Sequence, residues 1–226
     1  MIKIENWEVQ GWEPTIRGMR NPKNSWDRID SYISEDCDGT YEFVVGSNDH
    51  DLMMRLAKGG PVHAKYRRMI VVWADITAPL FWWKEFDTYK IGTVRNSCST
   101  MHKIHVAPFV IDNFSHEGCD KVPLAKTAIE SLIVALEYLR CKFNETGDKN
   151  YWRALIELLP DGYNMKATVM LNYEVLTGIY PMRKNHKLNE WHEFCDWIKS
   201  LPYSEFIVGE EKWDDKCLGA DRKEVE

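Results

Sequence analysis

The residues best suited to chemistry lie in one short segment, 90–103. Positive charge comes from three residues, Lys90, Arg95 and Lys103, and compact polar groups come from Gly92, Asn96, Ser97, Ser99 and Thr100. Cations mixed with hydroxyl and backbone N–H groups are the combination that holds phosphate in proteins. Because the segment has little apolar periodicity, we expect a loop that binds an anionic ligand. An ordinary solvated loop is the alternative, since basic polar loops are common.

Cys98 is the candidate nucleophile of this segment. Its cationic neighbours favour the thiolate, which is the reactive form of cysteine, and His102 is the candidate base. The more common role for such a residue is a buried, unreactive thiol. Neither H-E-x-x-H nor paired C-x-x-C spacing occurs in the sequence, so we expect no metal site.

Aromatic residues precede the polar segment. Trp82, Trp83 and Tyr89 have ring faces on which a nucleotide base or a flavin could stack. Such residues more often belong to a hydrophobic core or to a subunit interface. The sequence leaves both roles open.

Hydrophobic periodicity predicts the elements that must position these residues. We expect strands at 2–9, 68–76 and 165–171, and helices at 51–58, 79–86, 125–143, 151–159, 174–182 and 188–201. Gly11, Pro14, Gly18 and Pro22 predict irregular chain between the first strand and the first helix. A mixed α/β domain follows, over residues 1–211, with a charged tail at 212–226.

Composition excludes several classes of protein. The formal net charge of −6 argues against a broad contact with duplex nucleic acid, which needs a basic face. No apolar run reaches the length of about 18 residues needed for a membrane span. The six cysteines are scattered without a C-x-x-C pair, which is typical of a reduced, cytoplasmic protein.

Two blocks of the sequence, in this order, resemble the flavin-dependent thymidylate synthases. In the first, Ile70-Val71-Val72 and Ala78-Pro79-Leu80-Phe81 resemble the family's strand and the start of its next helix. The signature R-H-R-x-x-S-x-N-E-x-S-x-R then falls on Thr88, Tyr89, Lys90, Thr93, Arg95, Asn96, Cys98 and Thr100. Lys90 and Thr93 are conservative replacements, and the signature as a whole is degenerate.

The second block keeps the spacing of the family without a gap. Leu159-Pro160, Asn172 and Arg183 resemble its L-P pair, the Asn that begins the following helix, and the Arg at that helix's end. Glu174 stands where the family has another Arg. A carboxylate there would repel a phosphate unless it pairs with Lys90, Arg95 or Arg183.

The resemblance implies an α/β fold with a curved sheet and packed helices, in a homotetramer whose sites lie between subunits. It implies FAD as cofactor and dUMP as substrate, with NADPH and methylenetetrahydrofolate if the family's methylation is retained. Phosphate would be held by Lys90, Arg95 and Arg183. The segment from Asn96 through Ser97 to Ser99 would contact the sugar or base together with Asn172, and His63 and Asn172 are the candidate cofactor contacts.

Two functions remain open at this point. The chain is either a flavoenzyme that methylates dUMP or a related pyrimidine nucleotide, or an inactive descendant. The second would bind a nucleotide, such as a signalling nucleotide, or act as a regulatory subunit. Thr88, Asn96 and Thr100 replace Arg, Glu and Arg of the family signature, which favours the inactive descendant.

Overall fold

The fold is built on a four-stranded antiparallel sheet. The computed structural model describes residues 2–35, 39 and 41–209. Its strands are β1 (Lys3–Gln10), β2 (Tyr32–Glu35), β3 (Tyr41–Val44), β4 (Val71–Pro79), β5 (Val94–Ser97) and β6 (Asn164–Asn172). The main sheet has the order β1-β4-β6-β5, and β2 and β3 form a separate hairpin. The central pair, β4 and β6, is in register from Val71 opposite Asn172 to Pro79 opposite Asn164.

Helices supply most of the remaining described chain. They are α1 (Trp12–Arg20), α2 (Ser47–Lys58), α3 (Leu80–Phe86), α4 (Thr100–Lys103), α5 (Pro123–Thr146), α6 (Lys149–Leu158), α7 (Tyr173–Arg183), α8 (Asn189–Ser200) and α9 (Glu205–Val208). A 3₁₀ helix, Ala64–Met69, leads into β4. Within the described residues, no helix has both the length and the apolar character needed to cross a membrane.

Alternation along the central strands separates a buried face of the sheet from a more polar one. Val72, Ala74 and Ile76 of β4 are buried, whereas Asp75 between them faces the other side and binds Thr168 of β6. Successive side chains of a strand point to opposite faces, so one face packs on the helices.

The main core is rich in aromatic side chains. Trp82 and Trp83 of α3 are almost completely buried, and Trp82 lies 4.9 Å from the ring of Trp191 on α8 and 5.5 Å from Phe194. Of the two roles open for the tryptophan pair, the structure therefore supports packing in the core. Trp83 also donates a hydrogen bond of 2.9 Å to the carbonyl of Met165, which fixes α3 on the sheet.

A second, smaller core lies between α5 and α6. Leu136 of α5 and Leu155 of α6 are fully buried there, together with Phe109 and Phe114 from the chain before α5. The antiparallel helix pair thus has its own apolar contacts. It also leaves one side of α5 uncovered in the described chain.

The predicted mixed α/β class is confirmed, and two local predictions are wrong. The segment with Gly11 and Pro14 is not irregular, because Trp12 to Arg20 form α1 with Pro14 in its first turn, where proline is tolerated. The segment 90–103 is not one loop, since Val94–Ser97 pairs with β6 and Thr100–Lys103 is helical. The predicted tail 212–226 lies outside the described residues, and the domain limit at 211 stays a prediction.

Candidate functional site

Strand β5 divides the predicted anion-binding residues between two faces of the sheet. Arg95 lies opposite Val169, whose side chain is in the core, and Asn96 lies opposite Thr168 on the polar face. Ser97 lies opposite the buried Ala167, so it shares the side of Arg95. A face of a strand is shared only by alternate residues. Arg95 therefore lies on the face of the sheet that packs on the helices, and Asn96 lies on the opposite, polar face.

Arg95 lies at the end of α3. Its Nη2 is 3.0 Å from Oδ2 of Asp87, and its guanidinium lies 4.9 Å from the ring centre of Trp83. The Nη1 of Arg95 and the hydroxyl of Thr93 are buried and have no hydrogen-bond partner among the described residues. Buried polar groups normally have partners, so a water or ligand atom is expected beside them.

Arg183, at the C-terminal end of α7, lies between two aromatic rings. Its guanidinium carbon is 4.3 Å from the ring centre of Trp191 and 5.5 Å from that of Tyr89. Its Nε donates to the hydroxyl of Tyr89 at 2.7 Å, and its Nη1 donates to Oε2 of Glu85 at 2.5 Å. Only 14% of the side chain is exposed, so the orientation of the guanidinium is fixed.

Glu85 of α3 is contacted by Arg183, Trp191 and His186. The same Oε2 atom that receives Arg183 accepts a hydrogen bond of 2.8 Å from Nε1 of Trp191. Nε2 of His186 lies 3.4 Å from it. One carboxylate oxygen thus holds groups from α7, α8 and the chain between them.

The segment 87–93 contacts both arginines and Asn172. Asp87 pairs with Arg95, and Tyr89 accepts from Arg183. At Gly92, where φ is +78°, an added Cβ would lie 3.1 Å from Nδ2 of Asn172. Asn172 caps α7, since its Oδ1 accepts from the N–H of Val175 at 3.0 Å. Lys90 lies within the same segment and is exposed.

The remaining predicted site residues lie apart from this group within the described chain. His63 is exposed in the connection between α2 and β4, where its ring approaches Gly59. Cys98 is exposed and its N–H donates to the carbonyl of Lys166. Ser99 is exposed and accepts from the N–H groups of Met101 and His102, so it caps α4.

Glu174 does not form the ion pair with Arg183 that the sequence left open. Burial raises the pKa of Tyr66 to about 12, and the negative charge of Glu174 contributes to the rise, which places the carboxylate near that ring. Its Oε2 is buried without a hydrogen-bond partner among the described residues. The carboxylate that pairs with Arg183 is Glu85, not Glu174.

Comparison with solved structures shows which known fold this chain has. The sequence matches no protein-family model and no curated protein. Thymidylate synthase X (ThyX) from Helicobacter pylori, solved with FAD and dUMP, superimposes with a TM-score of 0.65 at 15% identity, covering 97% of this chain and 100% of that chain. This chain has the fold of a flavin-dependent thymidylate synthase. The resemblance predicted from two sequence blocks is confirmed for the fold.

A second solved structure with the thymidylate synthase fold agrees with the first. Flavin-dependent thymidylate synthase ThyX from H. pylori, complexed with FAD and dUMP, has a TM-score of 0.63 at 16% identity and covers 92% of this chain and 97% of that chain. Both comparisons cover nearly the whole chain. The segment aligned with the thymidylate synthase signature, 88–100, here comprises a turn, the edge strand β5 and the start of α4.

Two clefts of this thymidylate synthase fold lie away from the arginine group. One, of about 310 Å³, lies between α7 and α8 and is lined by Tyr180, Lys184, Asn185, His192, Cys195, Asp196 and Lys199. The other, of about 420 Å³, lies beside α5 and is lined by Ile111, His116, Asp120, Lys126, Ile129, Glu130 and Ile133. Neither contains a predicted site residue. In the described chain, no three His, Cys, Asp or Glu side chains group as metal ligands would.

Sequence reasoning found Arg183, Arg95 and Asn172 but missed the acidic residues beside them. Glu85 lies in the segment 79–86, which was predicted as a helix from its apolar residues, and Asp87 directly follows that segment. Two acidic residues at an i, i+2 spacing carry no signal of their own. Their roles depend on contacts with residues up to 106 positions away, as between Glu85 and Trp191.

Proposed function

We propose that this protein binds a pyrimidine nucleotide on the framework that ThyX uses for FAD and dUMP. The observation that carries the proposal is the likeness over 97% of the chain to a structure that holds both ligands. Segment 87–93 supports it, because it contains Lys90 and contacts Arg95, Arg183 and Asn172. Fold alone does not determine function, so the site residues must carry the remaining argument.

Within the proposal, Arg183, Arg95 and Lys90 hold the phosphate, and Asn172 contacts the sugar or base. The rings of Tyr89 and Trp191 fix the plane of the Arg183 guanidinium. A planar guanidinium held in place offers two parallel N–H donors to phosphate oxygens. His63 and the segment from Asn96 to Ser99 reach the ligand from another subunit, since the resemblance implies sites between subunits.

The residues present fit FAD less well than they fit a nucleotide. Thr88 stands where the family has an Arg, and a hydroxyl cannot make the charge-assisted contacts of a guanidinium. Both arginines of the group also have a carboxylate beside them. We therefore expect weaker FAD retention than in the family, and no step of the reaction is derived through the flavin.

Nucleotide capture without catalysis is the second candidate function. Thr88, Asn96 and Thr100 replace three charged residues of the signature, and Asn96 faces the side of the sheet opposite to Arg95. A chain changed in this way would still bind a nucleotide through Arg183 and Lys90. It would then serve as a binding protein or a regulatory subunit.

Ligand release and titration distinguish the two functions. The purified full chain is examined by absorbance, since oxidised flavin is yellow, and by mass spectrometry of ligand released on heating. Calorimetric titration with dUMP and with FAD follows. Binding of dUMP alone indicates capture, and binding of both indicates a flavoenzyme. If neither ligand binds and no nucleotide is released, the proposal is wrong.

Replacing Arg183 by Ala tests the assigned phosphate contact. A charged hydrogen bond is worth about 1.5–3 kcal/mol, so dUMP affinity should fall about tenfold to a hundredfold. Arg153→Ala is the matched control, because Arg153 forms an exposed pair with Glu157 on α6. Equal dUMP affinity in all three proteins would place Arg183 in a structural role with Glu85.

A further inference from the structure

The β2–β3 hairpin is an exposed arm with an apolar and acidic face. Ile33 pairs with Phe43 and Glu35 pairs with Tyr41, so these four residues share one face of the hairpin. Phe43 packs against the main core. Ile33 is 59% exposed and Tyr41 is 71% exposed, and the hydroxyl of Tyr41 donates to Oε1 of Glu35 at 3.3 Å. We call Ile33, Glu35 and Tyr41 the arm face.

Hydrogen bonds at the base of the hairpin hold the arm in one orientation. The N–H of Val45 donates to the hydroxyl of Tyr203 at 2.9 Å, and the N–H of Gly46 donates to Oγ of Ser31 at 3.0 Å. A two-stranded hairpin is only marginally stable when nothing packs on it. Exposed apolar side chains on such an arm favour contact with another protein surface. The arm is therefore positioned to dock, and it gains stability when it does.

The surface around α4 has exposed apolar side chains and a positive charge. Met101 and Val106 are exposed. Lys103 lies between them in the sequence, is exposed, and forms no ion pair with the described residues. Of the three cations in segment 90–103, Lys103 is the one that the proposed phosphate site does not use. We call Met101, Lys103 and Val106 the α4 surface.

The two surfaces belong to segments of opposite charge. Residues 29–54, which include the arm, contain no Lys or Arg. Residues 88–111, which include α4, contain no Asp or Glu. Opposite charges on two exposed surfaces steer their encounter and disfavour the contact of either surface with itself.

We infer that the arm face of one copy of this chain docks on the α4 surface of a second copy. The two apolar side chains of the arm face pack against Met101 and Val106, and Glu35 lies beside Lys103. A second copy is the partner because the charges and the exposed apolar groups of the two surfaces complement each other. The α4 surface also directly follows the segment 96–99, which the proposed function places at a boundary between subunits. The contact itself involves no nucleotide.

An exchange of charge between the two surfaces tests the inference. Sedimentation velocity at low ionic strength, where exposed charges are least screened, measures association of the full chain. Glu35→Lys and Lys103→Glu each turn an attraction into a repulsion, so each should weaken association about fivefold. The exchanged pair, with both substitutions, should regain the association of the unmodified protein. Tyr41→Ser, which removes the aromatic contact and no charge, should weaken association about tenfold.

Asp51→Lys combined with Lys103→Glu is the matched control for the exchanged pair. Asp51 is exposed on α2, outside the arm, and this control pair has the same net charge as the exchanged pair. It should associate as weakly as Lys103→Glu alone. Thermal melts of every variant detect any loss of folding. Association of the exchanged pair no tighter than that of the control pair overturns the inference, as does a monomeric unmodified chain at micromolar concentration. Because sedimentation uses no ligand, the inference can fail while dUMP still binds.

Discussion

At the residue scale, the most buried charges belong to an ion pair outside the candidate site. Arg20 and Asp49 have side-chain exposures of 4% and 0%, and Nε of Arg20 donates to Oδ1 of Asp49 at 2.7 Å. Asp49 also accepts from the N–H groups of Asp30 and Ser31, both at 3.1 Å. The pair thereby joins α1 to α2 and to the base of the β2–β3 hairpin.

Asp49→Asn should destabilise the protein strongly. The substitution leaves the charge of Arg20 buried without a counter-charge, which costs about 3–5 kcal/mol. At roughly 2–4 °C per kcal/mol for a chain of this size, Tm should fall by about 10 °C. Asp51→Asn, at an exposed position of the same helix, should leave Tm nearly unchanged. Equal melting of the two variants would argue against a stabilising role for the pair.

Part of the candidate site could be predicted residue by residue, and part could not. The positions of Asn172 and Arg183 were predictable because Asn172 caps the start of α7 and Arg183 is its last residue. The length of a single local helix therefore sets their separation. Glu85 was not, since its role arises only when α3, α7 and α8 pack together. Contacts between distant segments leave no local pattern.

At the element scale, the predicted elements agree with the structure where apolar periodicity is strong. The prediction is wrong where hydrogen bonding to a distant strand determines the secondary structure. The 24-residue α5 and the central strands β4 and β6 were predictable. Residues Val94–Ser97 have little strand character by themselves. They become β5 because they pair with the free edge of β6, a tertiary effect that overrides local propensity.

Glu137 of α5 fixes the chain that precedes the helix. It accepts from Nε of Arg140 at 2.8 Å and from the N–H of Phe109 at 3.0 Å. The hydrogen bond from Arg140 is the main cause that lowers the pKa of Glu137 to about 2; burial opposes it, and the N–H of Phe109 assists. The ionised form is thus favoured by the folded state.

Acid should weaken this link within a defined pH range. Because the folded pKa of about 2 lies below the ordinary value of 4.5, the stabilisation is complete above about pH 4.5 and is lost as pH falls towards 2. Glu137→Gln should therefore lose less Tm between pH 5 and pH 3 than the unmodified protein, while melting lower at pH 7. Glu145→Gln, in an exposed pair with Lys142, should follow the unmodified protein. Parallel pH profiles for all three proteins would contradict the role of Glu137.

At the scale of the whole molecule, α5 has apolar residues that the described chain does not cover. Leu124 is 82% exposed and Val134 is 71% exposed. The same helix contributes Leu136 to the small core with α6, so its two sides differ in what they contact. Apolar side chains exposed along a long helix are typical of surfaces that bind another protein.

We propose that this side of α5 packs against another copy of the chain, in the tetramer that the resemblance implies. Sites between subunits would explain why His63 and the Asn96 to Ser99 segment lie apart from Arg183 within one chain. Analytical ultracentrifugation at micromolar concentration measures the association directly. A strictly monomeric protein would remove subunit contributions from the proposed site.

A double substitution connects association to ligand binding. Leu124→Glu with Val134→Glu places two charges on the exposed side of α5, where neither side chain belongs to the chain's own core. Burying unpaired carboxylates in an interface is costly, so the variant should sediment as a smaller species with little change in Tm. Val62→Glu, at an exposed apolar residue between α2 and β4, serves as control and should keep the assembly. If the nucleotide site is shared between subunits, the double variant should also lose dUMP binding. Retained dUMP affinity in a dissociated variant would show instead that one chain holds the complete site.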